Sequence, residues 1–167
     1  MLVLYGVCGE GMGHAMRSAV VAEHLMSRGH DVRFVSSGSA ARYLSSRWPR
    51  RVTSALGLRT VMISNKILPM TPLLTNIAAQ TLGPLAHGAT FLSLGMALEQ
   101  RPGAVISDFD PWTARYARSR GIPLVALDNV HFMNRCTHPQ EVVSPDRTAA
   151  AIMYPTVARM VPDARSY

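Results

Sequence analysis

The residues best suited to chemistry are a histidine that closes a glycine-rich stretch near the N-terminus and an aspartate far along the chain. Residues 9–14 read Gly-Glu-Gly-Met-Gly-His, so the histidine is His14, and the aspartate is Asp108. An imidazole can accept a proton near neutral pH, and a carboxylate beside it fixes which ring nitrogen carries the hydrogen. Such a pair activates hydroxyl groups as nucleophiles.

The segments around the glycine-rich stretch are predicted to be a buried strand and a helix. Residues 2–7 form an almost continuous apolar run, which is typical of a central parallel strand. From about Gly13, apolar residues recur at helical spacing until Arg28-Gly29. A helix N-terminus after a glycine turn favours an anion site, because its free N–H groups and dipole act together. The glycines that allow close approach of a ligand are Gly9, Gly11 and Gly13.

The remainder of the chain alternates between strand and helix patterns. Further strands are predicted over residues 31–37, 60–64, 104–107 and 123–127. Helices are expected to start at Ser39, Thr71-Pro72, Asp110-Pro111 and Ser144-Pro145, with a kink at Gly83-Pro84. Loops are expected over residues 50–59 and 132–141. This alternation predicts an α/β fold, a single-domain Rossmann-like, doubly wound parallel sheet.

The topology of such a sheet brings distant residues together. In the strand order 3-2-1-4-5, strands one and four are neighbours and the order reverses between them, which is where ligands bind. Strand one delivers the glycine turn and His14 to that crevice, and strand four delivers Asp108. Asn129 and His131 follow strand five, so we expect them beside the same crevice.

Composition indicates a packed protein with a basic surface. The chain has 167 residues, 48% hydrophobic and 16% charged, with a net charge of +7 that favours anionic partners or a solvated basic face. Two cysteines and a first strand that begins at residue 2 favour a reducing, cytoplasmic setting without a secretory signal. Residues 67–98 carry no formal charge, but prolines and polar residues interrupt them, which favours buried or acceptor-facing helices over a membrane span.

A dinucleotide site fits the glycine turn poorly. The pattern G-x-G-x-x-G, started at Gly9, needs a glycine where His14 stands. Strand two ends in Ser36-Ser37 and offers no acidic residue for a ribose. The histidines also lack the spacing of metal ligands, so no metal and no cofactor is predicted.

Three motifs together resemble the N-terminal, acceptor-binding half of GT-B glycosyltransferases, across essentially residues 1–167. They are residues 9–14, residues 28–32 (Arg-Gly-His-Asp-Val) and the segment from Asp108 to Gly121-Ile122-Pro123. The most similar groups are macrolide and plant-type glucosyltransferases and the N-acetylglucosaminyl transferases of peptidoglycan synthesis. The resemblance implies an inverting, metal-independent hexosyltransferase in which His14 is the base on the acceptor hydroxyl and Asp108 supports it.

The resemblance also implies binding roles and partners. Gly9, Gly11, Gly13 and Arg17 would contact an acceptor or its diphosphate, and Asn129 and His131 would contact the acceptor. The nucleotide-sugar donor would bind mostly to a C-terminal domain that these residues do not supply. The acceptor would be a small molecule or lipid-linked, with possible peripheral membrane contact and no role for nucleic acid. A sugar-nucleotide epimerase and a non-catalytic half-transferase that needs a partner chain stay open as alternatives.

Overall fold

The computed structural model describes residues 1–55, 62–63, 66–67, 98, 100–137, 155, 157–158, 161 and 164. The strands are β1 (Leu2–Val7), β2 (Asp31–Ser36), β3 (Val52–Ser54), β4 (Met62–Ile63), β5 (Lys66–Ile67), β6 (Ala104–Asp108) and β7 (Leu124–Ala126). The helices are α1 (Met12–Ser27), α2 (Gly38–Arg47), α3 (Pro111–Arg120) and α4 (Phe132–Arg135). The expected helices at Thr71-Pro72 and Ser144-Pro145 and the kink at Gly83-Pro84 lie outside the described residues.

The main sheet has the order β3-β2-β1-β6-β7, and its pairings are all parallel. Counted within this sheet, the strands follow the order 3-2-1-4-5, so the predicted doubly wound topology is confirmed. Strand β1 is central and pairs with β2 on one side and β6 on the other. The reversal of strand order therefore falls between β1 and β6.

Three local expectations were wrong. The third strand of the main sheet is β3, inside the expected loop over residues 50–59, whereas β4 pairs with β5 in a separate two-stranded antiparallel sheet. The N-cap of α2 is Ser37, and the Ser39 hydroxyl, inside the helix, donates to the carbonyl oxygen of Gly9. The short helix α4 occupies part of the expected loop over residues 132–141.

The two faces of β1 pack against different helices. Val3, Tyr5 and Val7 join the apolar cluster that includes the inner faces of α1 and α2. Leu4 joins the cluster on the opposite face, which includes the buried side of α3. Every residue of β1 is buried, as its unbroken apolar run predicts for a strand covered on both faces.

Helix α3 has clear start and stop signals. The carboxylate of Asp110 accepts the N–H of Thr113 at 2.8 Å, and Pro111 occupies the first turn. The helix ends at Gly121, which takes a left-handed conformation with φ of 60°. These signals place the N-cap of α3 two residues after Asp108.

Gly6 sets how closely α3 approaches β1. A Cβ atom at this position would lie 1.9 Å from Thr113 Oγ1 and 2.6 Å from Asp110 Oδ2. That hydroxyl also donates to Asp110 Oδ2 at 2.8 Å, so both atoms are held in place. The absence of a side chain at Gly6 therefore allows the capped end of α3 to pack directly on the central strand.

We expect Gly6→Ala to lower the free energy of unfolding by about 2 kcal/mol, because the added methyl group overlaps a fixed, buried cap. Gly13→Ala is the matched control, since a Cβ atom there meets nothing within 4 Å. In a helix this change is expected to raise stability by roughly 0.5–1 kcal/mol. Chemical denaturation measures both variants, and equal effects would contradict this account of the packing.

Asp110 should impose a pH dependence on stability. Burial raises its pKa from 3.8 to about 6. Because the folded state holds this proton more tightly, the group's contribution to stability is complete below pH about 4 and is lost as the pH rises through 6. We expect Asp110→Asn to remove roughly 3 kcal/mol of this pH dependence of the free energy of unfolding.

Denaturant midpoints measured from about pH 4 to pH 7 test this expectation. The matched control is Glu23→Gln, which removes a carboxylate from an exposed position on α1. It should leave the pH dependence as in the unmodified chain. An unchanged slope in Asp110→Asn would show that burial of this carboxyl group does not control the acid response.

Candidate functional site

The site lies where β1 and β6 end side by side. Val7 and Asp108 are register partners, and the N–H of Cys8 donates to the carbonyl oxygen of Asp108 at 3.0 Å. The parallel pairing thus continues one residue past β1. It places the Asp108 side chain at the carboxyl edge of the sheet, next to the turn that leads into α1.

The glycine turn between β1 and α1 is shaped by two different requirements. At Gly9, a Cβ atom would lie 1.9 Å from Ser37 Oγ, so the turn packs tightly against the start of α2. Gly11, the N-cap of α1, has φ of 80°, which favours glycine. Gly13 has open space around its α-carbon. The predicted ligand contacts of all three glycines stay predictions.

His14 and Asp108 are in direct contact, as the topology predicted. The distance from His14 Nδ1 to Asp108 Oδ1 is 2.7 Å. The carboxylate also accepts N–H and O–H groups from two other residues, so the hydrogen of this contact belongs to His14 Nδ1. In the neutral ring, Nε2 then carries the lone pair. The His14 side chain is 20% exposed and Asp108 is fully buried, so the imidazole can meet a ligand while its partner cannot.

Arg17 and Ser18 complete the surroundings of the Asp108 carboxylate. Arg17 Nη2 lies 2.6 Å from Oδ1 and Arg17 Nε lies 3.2 Å from Oδ2. The buried Ser18 hydroxyl donates to Oδ2 at 3.0 Å. The hydrogen bonds to Asp108 raise the pKa of Arg17. Each carboxylate oxygen therefore accepts two hydrogen bonds, all from side chains of α1.

Two further ionisable side chains near this cluster stay uncharged at neutral pH. Burial raises the pKa of Tyr5 to about 12 and that of Cys8 to about 11. Tyr5 belongs to β1 and Cys8 begins the glycine turn. Asp108 and Arg17 therefore carry opposite charges beside the turn, and Glu10 adds a further acidic group within it.

Two residues after β7 are expected to contact the acceptor, and one of them is exposed whereas the other is buried. Asn129 is exposed, whereas His131 is buried and its Nδ1 lies 2.8 Å from Asp128 Oδ2. Asp128 Oδ1 also accepts the main-chain N–H groups of Val130 and His131. Asp128 interacts electrostatically with Arg17, so this second histidine–carboxylate pair belongs to the same edge of the sheet.

Phe109 lies between Asp108 and Asp110 and has an unusual main-chain conformation. Its φ of 54° is in the left-handed region, where residues other than glycine are uncommon. Asp108 can therefore contact α1 while Asp110, two residues later, caps α3. The Phe109 ring also meets the edge of the His131 ring, with 6.1 Å between centroids. Strain of this kind is concentrated at functional sites.

Sequence reasoning assigned no role at this edge to Ser18, Asp128 or Phe109. Ser18 follows His14 by four residues, a spacing that puts both on one face of a helix and could have revealed it. The structure places Arg17 on Asp108, and its predicted contact with a diphosphate stays a prediction. Within the ranges that the structure describes, no three His, Cys, Asp or Glu residues form a group that could hold a metal ion. No described helix is long and apolar enough to cross a bilayer.

A family model described as glycosyl transferase family 1 matches residues 1–167. The chain belongs to this family. The resemblance drawn from the glycine turn, residues 28–32 and the segment after Asp108 is therefore confirmed at the level of the family. No curated protein sequence matches the chain.

Two solved structures are similar to nearly the whole of this chain. UGT2 of Phytolacca americana, complexed with UDP-2fluoro-glucose and pterostilbene, matches 95% of this chain with a TM-score of 0.52 and 15% identity. MurG of Acinetobacter baumannii matches 98% of the chain with a TM-score of 0.49 and 14% identity. The chain spans 44% and 39% of the lengths of these two structures. The match to UGT2 supports the Rossmann-like sheet of this family member.

The hydroxyl of Ser18 should stabilise the buried carboxylate of this family member. We expect Ser18→Ala to lower the free energy of unfolding by about 1–3 kcal/mol, because Asp108 Oδ2 loses a buried donor. Ser27→Ala is the matched control, since its exposed hydroxyl donates only to the carbonyl oxygen of His24 on the same helix. Denaturation curves of both variants measure the change in the free energy of unfolding. A decrease for Ser18→Ala that is no larger than the decrease for the control would contradict the expectation.

Proposed function

We propose that residues 1–167 form the acceptor-binding domain of an inverting, metal-independent glycosyltransferase in which His14 is the catalytic base. The observation that carries this proposal is the 2.7 Å contact between His14 Nδ1 and the buried Asp108 in a member of glycosyl transferase family 1. Asp108 orients the imidazole ring of His14, and His14 Nε2 is the basic nitrogen. A partly exposed imidazole at the edge of the sheet suits the activation of an acceptor hydroxyl.

The proposed step transfers one proton and exchanges one bond at the anomeric carbon. His14 Nε2 takes the proton of the acceptor hydroxyl as the acceptor oxygen attacks the anomeric carbon of the donor sugar. The bond from that carbon to the diphosphate oxygen breaks, and the nucleoside diphosphate leaves with the electron pair. Attack opposite the leaving group inverts the anomeric configuration. Asp108 stabilises the imidazolium that forms.

The donor is a nucleotide sugar in this proposal. UGT2 of Phytolacca americana was solved with UDP-2fluoro-glucose and pterostilbene, and the nucleotide sugar in that complex supports the substrate class. We propose that the donor is held mostly by a second domain outside these 167 residues. The N-terminus of α1 and the glycine turn would face the acceptor side of the reacting centre.

The acceptor is a hydroxyl compound, either a small molecule or a lipid-linked one. The basic surface and three exposed apolar residues of α1 are compatible with a lipid-linked acceptor. These residues recur at every fourth position, and they are Met12, Met16 and Val20. We propose a cytoplasmic protein that reaches such an acceptor by peripheral membrane contact.

His14→Ala should lower turnover by about 100- to 10,000-fold, as expected for loss of a general base. The assay uses the protein made from its native gene, a panel of nucleotide sugars and acceptors, and detection of both nucleoside diphosphate and glycosylated product. His24→Ala is the matched control, because His24 is exposed near the other end of α1. It should retain the turnover of the unmodified protein.

The same assay separates the alternatives. A His14→Ala loss of less than about threefold would remove His14 as the base. Formation of an isomerised nucleotide sugar without a glycosylated acceptor would replace transfer by epimerisation. Turnover that disappears when EDTA is added and returns with a divalent cation would overturn metal independence.

A further inference from the structure

The Arg17 guanidinium holds the Asp108 carboxylate through both of its oxygens. Nη2 meets Oδ1 at 2.6 Å and Nε meets Oδ2 at 3.2 Å, so two N–H groups of one planar fork engage one carboxylate. A lysine ammonium cannot reproduce this side-on geometry. The Arg17 side chain is 35% exposed and Asp108 is fully buried, so the arginine covers the carboxylate from the solvent side.

A fully buried carboxylate needs a positive counter-charge, because an unpaired charge away from water is very costly. Two neighbouring groups could supply it, Arg17 or a protonated His14. Arginine is always charged, whereas an imidazolium that compensates Asp108 has no lone pair left and cannot act as a base. Arg17 Nη2 also lies 3.3 Å from His14 Nδ1, a separation at which a second positive charge on the ring is repelled.

We propose that Arg17 is a positioning residue that supplies the counter-charge of Asp108 and thereby leaves His14 as a neutral, Nδ1-protonated base. This inference rests on the proposed function, in which His14 accepts the hydroxyl proton. It gives the three side chains of the cluster separate roles. Arg17 balances the charge, Asp108 orients the ring and His14 receives the proton.

The other ionisable groups around the cluster do not supply this counter-charge. From β1 and the turn, Tyr5 and Cys8 stay neutral because burial raises their pKa to about 12 and about 11, and Glu10 is acidic and cannot supply a positive charge. Beyond β7, Asp128 adds a negative charge that also acts on Arg17. On the α3 side, the Asp110 carboxyl group is engaged with Thr113. Among these described neighbours, the arginine is the permanent cation.

The direct test is the protonation state of the His14 ring in the 167-residue chain, read at pH 7 from long-range ¹H–¹⁵N spectra of ¹⁵N-labelled protein. In the unmodified chain we expect a neutral ring with the hydrogen on Nδ1. In Arg17→Gln we expect the ratio of imidazolium to neutral ring to rise at least about tenfold. His14→Asn identifies the resonance by its disappearance.

Arg28→Gln is the matched control, because it removes an equal charge from the exposed C-cap of the same helix. It should leave the His14 spectrum unchanged. An Arg17→Gln spectrum that matches that of the unmodified chain would overturn the proposal. If Arg17→Gln does not fold, Arg17→Lys decides, since it keeps the charge and should keep the ring neutral. A doubly protonated ring in Arg17→Lys would also overturn the proposal.

A kinetic measurement on the protein made from its native gene tests the functional consequence. We expect Arg17→Gln to lose at least about tenfold in kcat at pH 7 and to recover part of it at higher pH, while KM for the acceptor changes little. An equal loss at all pH values would indicate a merely structural role. The spectra need neither donor nor acceptor, so they can support the charge assignment even if His14→Ala shows that His14 is not the base.

Discussion

The burial of one carboxylate controls the geometry of the whole edge. Asp108 is fully buried, and its two oxygens are satisfied by the side chains of His14, Arg17 and Ser18. These three donors lie within two turns of α1, so the rotation and depth of that helix are set by the requirement to satisfy one buried charge. The glycine turn then has to connect β1 to a helix whose position is already fixed, and it does so while packing closely against Ser37 at Gly9.

The strand order that brings His14 to Asp108 was predictable, because the sequence signals for each strand and helix are local. The apolar run of β1, the strand that ends at Asp108 and the cap at Asp110-Pro111 are each carried by a few neighbouring residues, and parallel crossovers then order the strands. The third strand was not predictable in the same way. Strand β3 is only three residues long and not fully buried, and its pairing with β2 depends on the tertiary structure.

The contact between His14 and Asp108 followed from topology, whereas the role of Arg17 required atomic positions. Spacing alone puts Arg17 near one face of α1, but it does not show whether the guanidinium turns toward a ligand or toward the sheet. The answer depends on the buried negative charge, because a guanidinium within reach of an otherwise uncompensated carboxylate is drawn to it. For Arg17, binding a phosphate and binding a carboxylate differ only by a rotation of the side chain. The helical spacing of residues in the sequence does not predict that rotation.

Two histidine–carboxylate pairs lie at this edge, and their surroundings separate their roles. His131 is 3% exposed, and its partner Asp128 accepts main-chain N–H groups of the same turn, so that pair stabilises the chain after β7. His14 is 20% exposed, and its partner is held by an arginine instead of by main-chain groups. The proposed role of His14 as a base requires access to its ligand and a counter-charge that does not depend on its own protonation. In this cluster His14 meets both requirements, and the second comes from Arg17.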